Sequence, residues 1–477
     1  MSPDEKPQRM VAIHGHLYQP PREDPWSGEV AVESSAAPSH DWNERITNEC
    51  YRPNAQAKFG DQLRNNYEGA SFDVGPTLTA WMQRHAADVL AAIVAADQAN
   101  HAVTGHGPAI AHPWVHAILP LCNAADKKTL IHWGIADFEH RFGRDPEGMW
   151  LPETAMDLDT LVALHDAGIA YTIAAPSQIA AVRGVSGEWL LGSGTGNPVK
   201  IALPDNRTII AMPYDGELSN LVAFGGALND GLRFAADLEA VASTRESVIV
   251  ATDMESYGHH HRFGEMALAA TIDALRSRPD VRLATVSEIV AGVVAVDGVA
   301  ALPSAWSCAH GIERWRSDCG CKLGTETVHN QSWRAPLRSA LDSLRDAVGQ
   351  LQELARDLID PVGARNDYCK VMLEPDTWPK FVERHLTPYG DAPRARAYLE
   401  LQRHLLMMYS SCGWFFDDAA GHETLIVLRH ARRGIELVRD LYGLDCEPEF
   451  VSRLAPMVSD VHGLDGRGIW NRFTHST

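Results

Sequence analysis

Short apolar runs that end at once in polar or glycine-rich residues recur through the first 300 residues of the chain. They read MVAIHGH, ASFDVG, AVTGHG, GMWLPE, YTIAAP, IIAMPY, VIVATD and RLATVS, and helical periodicity follows several of them. Strands that alternate with helices indicate βα units and a parallel sheet. About seven or eight such strands favour an α/β barrel, in which the loops after the strands meet at one face.

The second part of the chain has a different pattern. A turn-rich stretch over residues 295–306 indicates a boundary, and long amphipathic helical patterns begin beyond Asn330. Earlier helices are predicted after WLPE, ending near Gly168, and around Leu268, Ile272 and Leu275. We therefore predict a catalytic barrel over residues 1–300 and a C-terminal α-helical bundle domain over residues 301–477 that completes the cleft.

The charge of the chain excludes some partners. Asp and Glu number 62 against 42 Lys and Arg, for a formal net charge of -20, which disfavours nucleic acid and anionic lipid. The N-terminus lacks the apolar region of a signal peptide, and no stretch has the roughly 18 apolar residues of a membrane helix. A cytoplasmic protein without membrane partners is expected, and homo-oligomerisation stays open.

Polar residues at the ends of the predicted strands are the candidates for chemistry. Glu153 and Asp253 are each the first acidic residue after a strongly apolar strand. Such a placement desolvates a carboxyl group and separates the pKa values of two neighbours, as glycoside hydrolysis requires. The alternative for Glu153 is that it merely favours the N-terminus of the next helix.

Thirteen tryptophans provide aromatic surface for a neutral carbohydrate. Trp42 and Trp150 lie in or beside predicted strand-end loops, although a place in the core is the alternative for each. The loop over residues 41–55 is rich in polar and aromatic groups, and Trp42, Glu44 and Arg45 in it are candidate sugar contacts. As residues that flank a helix start, they would need no such function.

Four segments in order, AIHGHLYQPP, GHGPAIAHPWVHAILPL, GMWLPE and ATDMESYG, resemble the conserved regions of glycoside hydrolase family 57. The resemblance implies a (β/α)7 barrel and retaining double displacement on α-linked glycans, without a metal or other cofactor. It also implies that Glu153 is the nucleophile and Asp253 the acid/base. His16 best matches the sugar-contacting histidine, and Leu17 and Tyr18 depart from the common pattern by separating it from Gln19.

Several further residues are predicted around this pair, with Glu255 expected to orient its neighbours. The predicted substrate-binding residues are His14, His16, Gln19, Trp42, Glu44, Arg45, His106, Trp150, Glu255, His259, Trp306, His310 and Trp315.

Cys308, Cys319 and Cys321 lie close together in SCAHGIERWRSDCGC, near His310. They offer zinc ligands, but the spacing C-x10-C-x-C lacks the usual paired C-x2-C. Buried structural thiols are the favoured interpretation, and no metal site is predicted. With eight cysteines in the whole chain, reduced thiols are expected rather than a disulfide framework.

The predicted function is retaining hydrolysis within an α-1,4-linked polysaccharide, with the two carboxyl groups about 5–6 Å apart. The substrate is an α-glucan or an α-mannan, including methylated storage-type polysaccharides. Three alternatives stay open: a 4-α-glucanotransferase or branching-type transglycosylase, a metal-dependent polysaccharide deacetylase, and a non-catalytic carbohydrate-binding protein. The sequence leaves endo or exo action undecided.

Overall fold

A computed structural model describes residues 9–192, 196–324 and 330–474 of the chain. The chain divides into two compact units. The first comprises the chain up to Gln19, Val32–His112 and Arg141–Leu302, and the second comprises Pro20–Ala31, Pro113–His140 and the chain from Pro303 onward. Each unit thus combines segments that are distant in sequence, and a domain limit at residue 300 stays a prediction.

The strands are numbered in chain order. They are β1 (Arg9–Leu17), β2 (Ala57–Phe59), β3 (Gln62–Arg64), β4 (Ser71–Val74), β5 (Ala109–Ile110), β6 (Tyr171–Ala174), β7 (Ile179–Arg183), β8 (Trp189–Leu191), β9 (Val199–Ala202), β10 (Thr208–Pro213), β11 (Ser247–Asp253), β12 (Val281–Leu283), β13 (Val296–Ala300), β14 (Val458–Ser459) and β15 (Leu464–Asp465).

Parallel strand segments form an arc in the first unit. In order they are β11, β1, β4, β5, residues 148–150, β6 and β10, with bridges from Ala111 to Met149 and from Gly148 to Tyr171. Between the two ends of the arc, the Asp215 N–H donates to the Ile249 carbonyl at 2.7 Å. The predicted α/β fold with parallel strands is confirmed. In the described backbone, this hydrogen bond joins the regions next to β10 and β11, and these two strands do not pair along their length.

The apolar sequence of the central strands explains their position. Val11, Ala12 and Ile13 of β1 and the stretch 248–251 of β11 are almost fully buried. Strands of a parallel sheet are covered on both faces, so they need continuous rather than alternating apolar residues. Apart from Arg9 and Ser247 at the first positions, the polar residues of these strands lie near the last positions, where the strands reach the loops.

Antiparallel strands extend the sheet beyond β10. β9 pairs with β10, and β13 lies between β9 and β7. The turn-rich stretch predicted over 295–306 is therefore wrong for residues 296–300. Half-buried and exposed residues alternate along β13, so one of its faces is open to solvent, and the small residues there disguised the strand.

The α-helices are numbered in the same way. They are α1 (Trp42–Ile46), α2 (Arg52–Ala55), α3 (Pro76–His85), α4 (Ala87–Thr104), α5 (Ala124–Phe142), α6 (Leu158–Asp166), α7 (Gly216–Ala223), α8 (Gly231–Ala242), α9 (Gly264–Arg276), α10 (Val286–Gly292), α11 (Arg334–Gln350), α12 (Gln352–Ala355), α13 (Pro361–Leu373), α14 (Trp378–His385), α15 (Ala392–Met407), α16 (Cys412–Phe415), α17 (His422–Tyr442), α18 (Glu447–Leu454) and α19 (Gly466–Phe473).

The two helices predicted in the first unit are confirmed. Gly168 follows α6 with a φ of 84°, and α9 buries Leu268, Ile272 and Leu275. The strand predicted over AVTGHG is wrong, because α4 continues through this stretch to Thr104 and ends at Gly105 with a φ of 78°. Val103 and Thr104 are typical of strands in composition but form the last turn of this helix.

The helices α11 to α19 belong to the second unit, which confirms the predicted helical character of the C-terminal region. α15 packs against α17 and α11 against α18. Trp315, Trp414 and Trp470 are fully buried in this unit, so much of its aromatic content forms its core. Among the described helices of both units, none is long and apolar enough to cross a bilayer.

Candidate active site at the strand ends

The carboxyl ends of β4, β1 and β11 bring three polar residues into one row. In the parallel register, His16 lies opposite Asp73 of β4 on one side and opposite Asp253 of β11 on the other. Residues paired across neighbouring strands project on the same face of a sheet. The row therefore places an imidazole between two carboxyl groups, although 57 and 237 residues separate them in sequence.

Asp73 holds two histidines of β1. His14 Nε2 and His16 Nδ1 lie 3.0 and 2.8 Å from its two carboxyl oxygens, and all three side chains are buried. Burial lowers the pKa of His16 to about 3, against a smaller opposing effect of the Glu153 carboxylate. Burial therefore favours the neutral form of the ring, and its Nδ1 lies within hydrogen-bonding distance of the Asp73 carboxyl group.

Trp150 supports this pair of imidazoles from one side. Its ring stacks on His14 with centroids 5.2 Å apart and on His16 with centroids 4.9 Å apart. Trp150 and His14 are each 0% exposed. The prediction that they contact substrate is therefore wrong in this structure, because no surface of either side chain is accessible; both fix the orientation of His16 instead.

Two further aromatic rings lie beside His16, and neither was among the predicted site residues. His112 stacks on His16 at 5.6 Å between centroids, and Tyr18 stacks on His112 at 5.9 Å. His112 follows the end of β5, and Tyr18 follows β1. A search for the first polar residues after each strand would have found both.

Glu153 lies on a strained turn directly after residues 148–150. Its φ of 57° and ψ of 20° are left-handed, and the next residue, Thr154, has a φ of 50°. Non-glycine residues rarely adopt this conformation, and they cluster at functional sites when they do. Helix α6 begins only at Leu158, where the Asp157 carboxylate accepts from the Thr160 N–H, so Glu153 is not its cap.

Gln178 stabilises this turn from below. Its Nε2 donates to the Thr154 carbonyl at 2.8 Å, and its Oε1 accepts from the Thr154 hydroxyl at 2.7 Å and from the Ala175 N–H at 2.8 Å. The side chain is fully buried. Sequence reasoning missed Gln178, because a glutamine after a short strand carries no distinctive pattern.

Asp253 ends β11 and is reached by solvent, although protein atoms surround it. Desolvation raises its pKa well above the ordinary value, and the nearby negative charges of Glu255 and Glu153 raise it further. Tyr214, which follows β10, has its pKa raised to about 12 by burial and by the charge of Asp253.

Glu255 is held by two side chains of the same unit. The Tyr51 hydroxyl donates to its Oε1, and Gln19 Nε2 donates to the same oxygen at 3.2 Å. Burial raises the pKa of Glu255 to about 7, while the bonds from Tyr51 and Gln19 act in the opposite direction. Glu255 is 9% exposed, so it is placed to act on Asp253 through its charge rather than through contact with a large ligand.

A second group of predicted residues lies on the loop after β1. The Arg45 guanidinium lies 4.7 Å from the centre of the Trp42 ring and donates to Glu49 at 3.0 Å, and the His259 Nδ1 lies 2.5 Å from Glu49. Trp42, Arg45 and His259 are half-buried. The structure therefore joins these three into one cluster through Glu49.

Glu44, by contrast, serves the start of α1. Its N–H donates to the Asp41 carboxylate at 3.0 Å, and its own carboxylate accepts from the His40 N–H at 2.6 Å. These are reciprocal bonds of a helix N-terminus. The geometry accounts for Glu44 without a substrate.

His106 lies at the opposite end of its strand from the row described above. It precedes β5, and its Nδ1 lies 2.7 Å from Glu147, which precedes residues 148–150. The amino ends of parallel strands face away from the loops in which barrels place their sites. The prediction that His106 ends a strand is wrong, because the residues before it are helical.

Three predicted contacts fall in the second unit. Trp315 is fully buried, so the prediction that it contacts substrate is wrong in this structure; its carbonyl accepts two hydrogen bonds from Arg338 at 3.1 Å. Trp306 is half-buried and His310 exposed. His310 Nδ1 lies 3.6 Å from Cys321 Sγ, which places it beside the cysteines rather than among aromatic residues.

In the described part of the chain, the groups of side chains with metal-ligating geometry do not include Asp73, Glu153 or Asp253. Both oxygens of Asp73 are engaged by imidazoles, as described. One such group does contain His16 of the row, but none contains its carboxyl groups, so these described residues do not form the aspartate-containing metal site expected of a deacetylase.

Comparison with known proteins identifies the family. A model of glycosyl hydrolase family 57 matches residues 11–302, and a domain of unknown function, DUF3536, matches residues 329–477. A search of curated proteins gave no match. Since the first match spans more than half of the chain, the chain belongs to glycosyl hydrolase family 57, and the predicted resemblance and glycoside hydrolase class are confirmed.

Solved structures share the fold at low sequence identity. An exo-type maltose-forming amylase from Pyrococcus sp. ST04 is 14% identical, with 97% of this chain and 88% of that chain covered at a TM-score of 0.72. A branching enzyme from Thermococcus kodakaraensis is 14% identical, with 98% and 96% covered at 0.59. The α-amylase AmyC from Thermotoga maritima is 12% identical, with 97% and 99% covered at 0.57.

Proposed function

We propose that this chain is a retaining enzyme for α-linked glucans, with Glu153 as nucleophile and Asp253 as acid/base. One observation carries the proposal: both carboxyl groups lie at the same end of the parallel strand segments, Asp253 as the last residue of β11 and Glu153 on the left-handed turn after residues 148–150, where the charge of Glu153 acts on Asp253. Cleavage of a glycosidic bond by this route uses two neighbouring carboxyl groups, one protonated and one ionised.

The raised pKa of Asp253 suits its first task. A protonated Asp253 donates its proton to the glycosidic oxygen as the Glu153 carboxylate attacks the anomeric carbon, and the leaving glycan departs as an alcohol. The product is a glycosyl ester of Glu153, with Asp253 now ionised.

The second step follows from the same electrostatics. Esterification removes the negative charge of Glu153, so the pKa of Asp253 falls and its carboxylate becomes a base. It then takes a proton from water, which attacks the anomeric carbon and releases Glu153. The pKa of Asp253 is thus high when it must donate a proton and lower when it must accept one.

His16 is proposed to contact the sugar at the bond that is cleaved. Asp73 and Trp150 hold its neutral ring in place at the carboxyl ends of the strands. Tyr214 is a second candidate, because its ring is half-buried and near enough to Asp253 to respond to its charge. The partner of the site is therefore a polysaccharide or oligosaccharide.

Transfer to a second glycan is the main alternative outcome. The solved structures with this fold include an amylase and a branching enzyme. A glycosyl ester of Glu153 can be released by water or by a sugar hydroxyl group. We propose hydrolysis of α-1,4-linked glucan, with transglycosylation as the competing reaction.

The test is incubation with a panel of α-glucans and α-mannans, followed by mass analysis of the products. We expect shortened α-glucan chains whose new reducing ends are first released as α-anomers, seen by NMR before mutarotation. A ladder of lengthened products would instead indicate transfer, and turnover of α-mannan alone would replace glucan as the substrate. Initial release of β-anomers would contradict the double displacement.

A further inference from the structure

Three cysteines and one histidine of the second unit converge outside the acidic site. Cys308, His310, Cys319 and Cys321, here called the Cys3His cluster, each direct one ligand atom toward a common point, with all four atoms within 4.8 Å of one another. The thiols are free, and Cys308 is 4% exposed. None of these residues belongs to the chemistry proposed for Glu153 and Asp253.

The distances within the cluster match those of a tetrahedral metal centre. Cys308 Sγ lies 4.0 Å from Cys319 Sγ and 3.9 Å from Cys321 Sγ, and Cys321 Sγ lies 3.6 Å from His310 Nδ1. A zinc ion with Zn–S near 2.3 Å and Zn–N near 2.0–2.1 Å requires about 3.8 Å between sulfurs and about 3.6 Å between sulfur and nitrogen. The sulfurs are also too far apart for a disulfide bond, which needs about 2.05 Å.

The backbone around the cluster has little regular secondary structure. Between Leu302 and α11, the described residues contain one short 3-10 helix, Glu313–Trp315. Ordering an irregular segment costs conformational entropy, and a bound metal would offset part of that cost beside buried side chains such as Ile312 and Trp315. The two ligand pairs flank this turn, so a metal would close the segment into a loop.

Buried cations surround the segment. Arg334 is fully buried and donates to the Cys321 carbonyl at 2.9 Å and to the Trp414 carbonyl at 3.0 Å. Arg314, 5% exposed, donates to the Ser307 carbonyl at 3.1 Å. Three thiolates around a divalent cation carry a net charge of about −1, so buried guanidinium groups nearby favour the deprotonated, metal-bound form.

We propose that Cys308, His310, Cys319 and Cys321 bind one structural zinc ion in the second unit. Thiolate and imidazole are the donors that zinc prefers, and four protein ligands fill a tetrahedral shell and leave no position for substrate or water. The ion therefore contributes to folding rather than to turnover.

The first test uses the full-length wild-type chain purified under reducing conditions. We expect about one zinc ion per chain by elemental analysis, as a closed four-ligand site holds its metal through purification. After chelation, titration with Co²⁺ alone should give sulfur-to-cobalt charge transfer and the intense d–d bands of a tetrahedral site at one equivalent. Zinc-free protein that also gives only the weak spectrum of octahedral cobalt would overturn the proposal, as would a disulfide between these cysteines in the reduced preparation.

The second test compares variants. Cys319→Ser and His310→Ala should lower the zinc content from about one to below about 0.2 ions per chain, because three ligands hold zinc far less tightly than four. Cys446→Ser is the matched control, since this free cysteine of the same unit lies outside the cluster, and it should keep the metal. Zinc retained by both cluster variants would refute the assignment, and the cobalt spectrum of the wild type decides the matter if they do not fold.

Discussion

The acidic row and the Cys3His cluster are built in opposite ways. His16, Asp73 and Asp253 end strands whose ladders fix them before any ligand arrives. The cluster lies on a segment with little regular backbone, which Arg334 and Arg338 of α11 hold by hydrogen bonds and which a bound metal would cross-link further. We therefore expect the acidic row to lose a functional group without loss of stability. Loss of a ligand from the Cys3His cluster should instead destabilise the fold.

The largest effect is expected for Glu153→Gln, which keeps the shape of the side chain but removes the nucleophile. Activity on α-glucan should fall by about four orders of magnitude or more, as for other enzymes that lose a nucleophile. The melting temperature should stay the same or rise. Asp159→Asn, an exposed acid on the following helix, is the control and should leave kcat/KM unchanged. A variant that lost activity by unfolding would break the comparison.

Removal of the metal should lower the stability of the chain, in contrast to Glu153→Gln, which should lower activity alone. Chelation, or Cys321→Ser, should lower the melting temperature by at least about 5 °C, because metal-binding energy is folding energy. Readdition of Zn²⁺ should restore it in the chelated wild type but not in the variant. Thermal unfolding of the chelated protein at the wild-type temperature would contradict a structural role.

Gln178→Ala should reduce turnover through the position of Glu153. Loss of two hydrogen bonds to Thr154 of the turn leaves the nucleophile less constrained, and we expect kcat to fall about ten- to a hundredfold with little change in KM. Gln178→Glu keeps the accepting oxygen and should lose less activity. Gln62→Ala, on the exposed strand β3, provides the control. An equal change in kcat and KM across all three variants would indicate general disruption instead.

The smallest effect is expected for Glu255→Gln. Removing this charge lowers the pKa of Asp253, so the acid loses its proton at lower pH and the falling limb of the pH–rate profile should move down by roughly one unit. The exposed Asp61→Asn variant should not move it. An unchanged limb would show that Glu255 does not act on Asp253 through charge.

Glu255→Gln also has a predicted effect on stability. Burial raises the pKa of Glu255 from 4.5 to about 7, so its favourable contribution is complete below the unfolded value near 4.5 and is lost as pH rises through about 7. The variant should therefore gain melting temperature relative to wild type at pH 8 and little at pH 5. Calorimetry at both values checks the sign.

The sequence was most informative where chemistry coincides with the ends of strands. Glu153 and Asp253 follow apolar runs that are unmistakable in the sequence, and their register with His16 follows from parallel pairing. His14 and Trp150 show the limit of that reasoning, because position near a strand end does not reveal whether a side chain is accessible. His106 was misplaced because helix α4 extends through a stretch that resembles a strand.

The Cys3His cluster shows a different limit. Spacing rules for zinc describe ligands paired on compact local turns, whereas here C-x-H and C-x-C meet across a loop of eight residues. Only the folded backbone brings them together. Gln178 and Tyr214 were missed for a related reason: their roles depend on what lies beside them in space, and nothing in their neighbouring sequence marks them.

The left-handed backbone of Glu153 has an evolutionary consequence. An L-residue held there costs of order 1–3 kcal/mol, which glycine or asparagine would largely relieve. In a gene copy released from selection for turnover, substitutions at this position would therefore be stabilising as well as inactivating, and random drift would remove the glutamate early. Persistence of the acid in a lineage would thus record continued use of the enzyme, more sensitively than retention of the overall architecture.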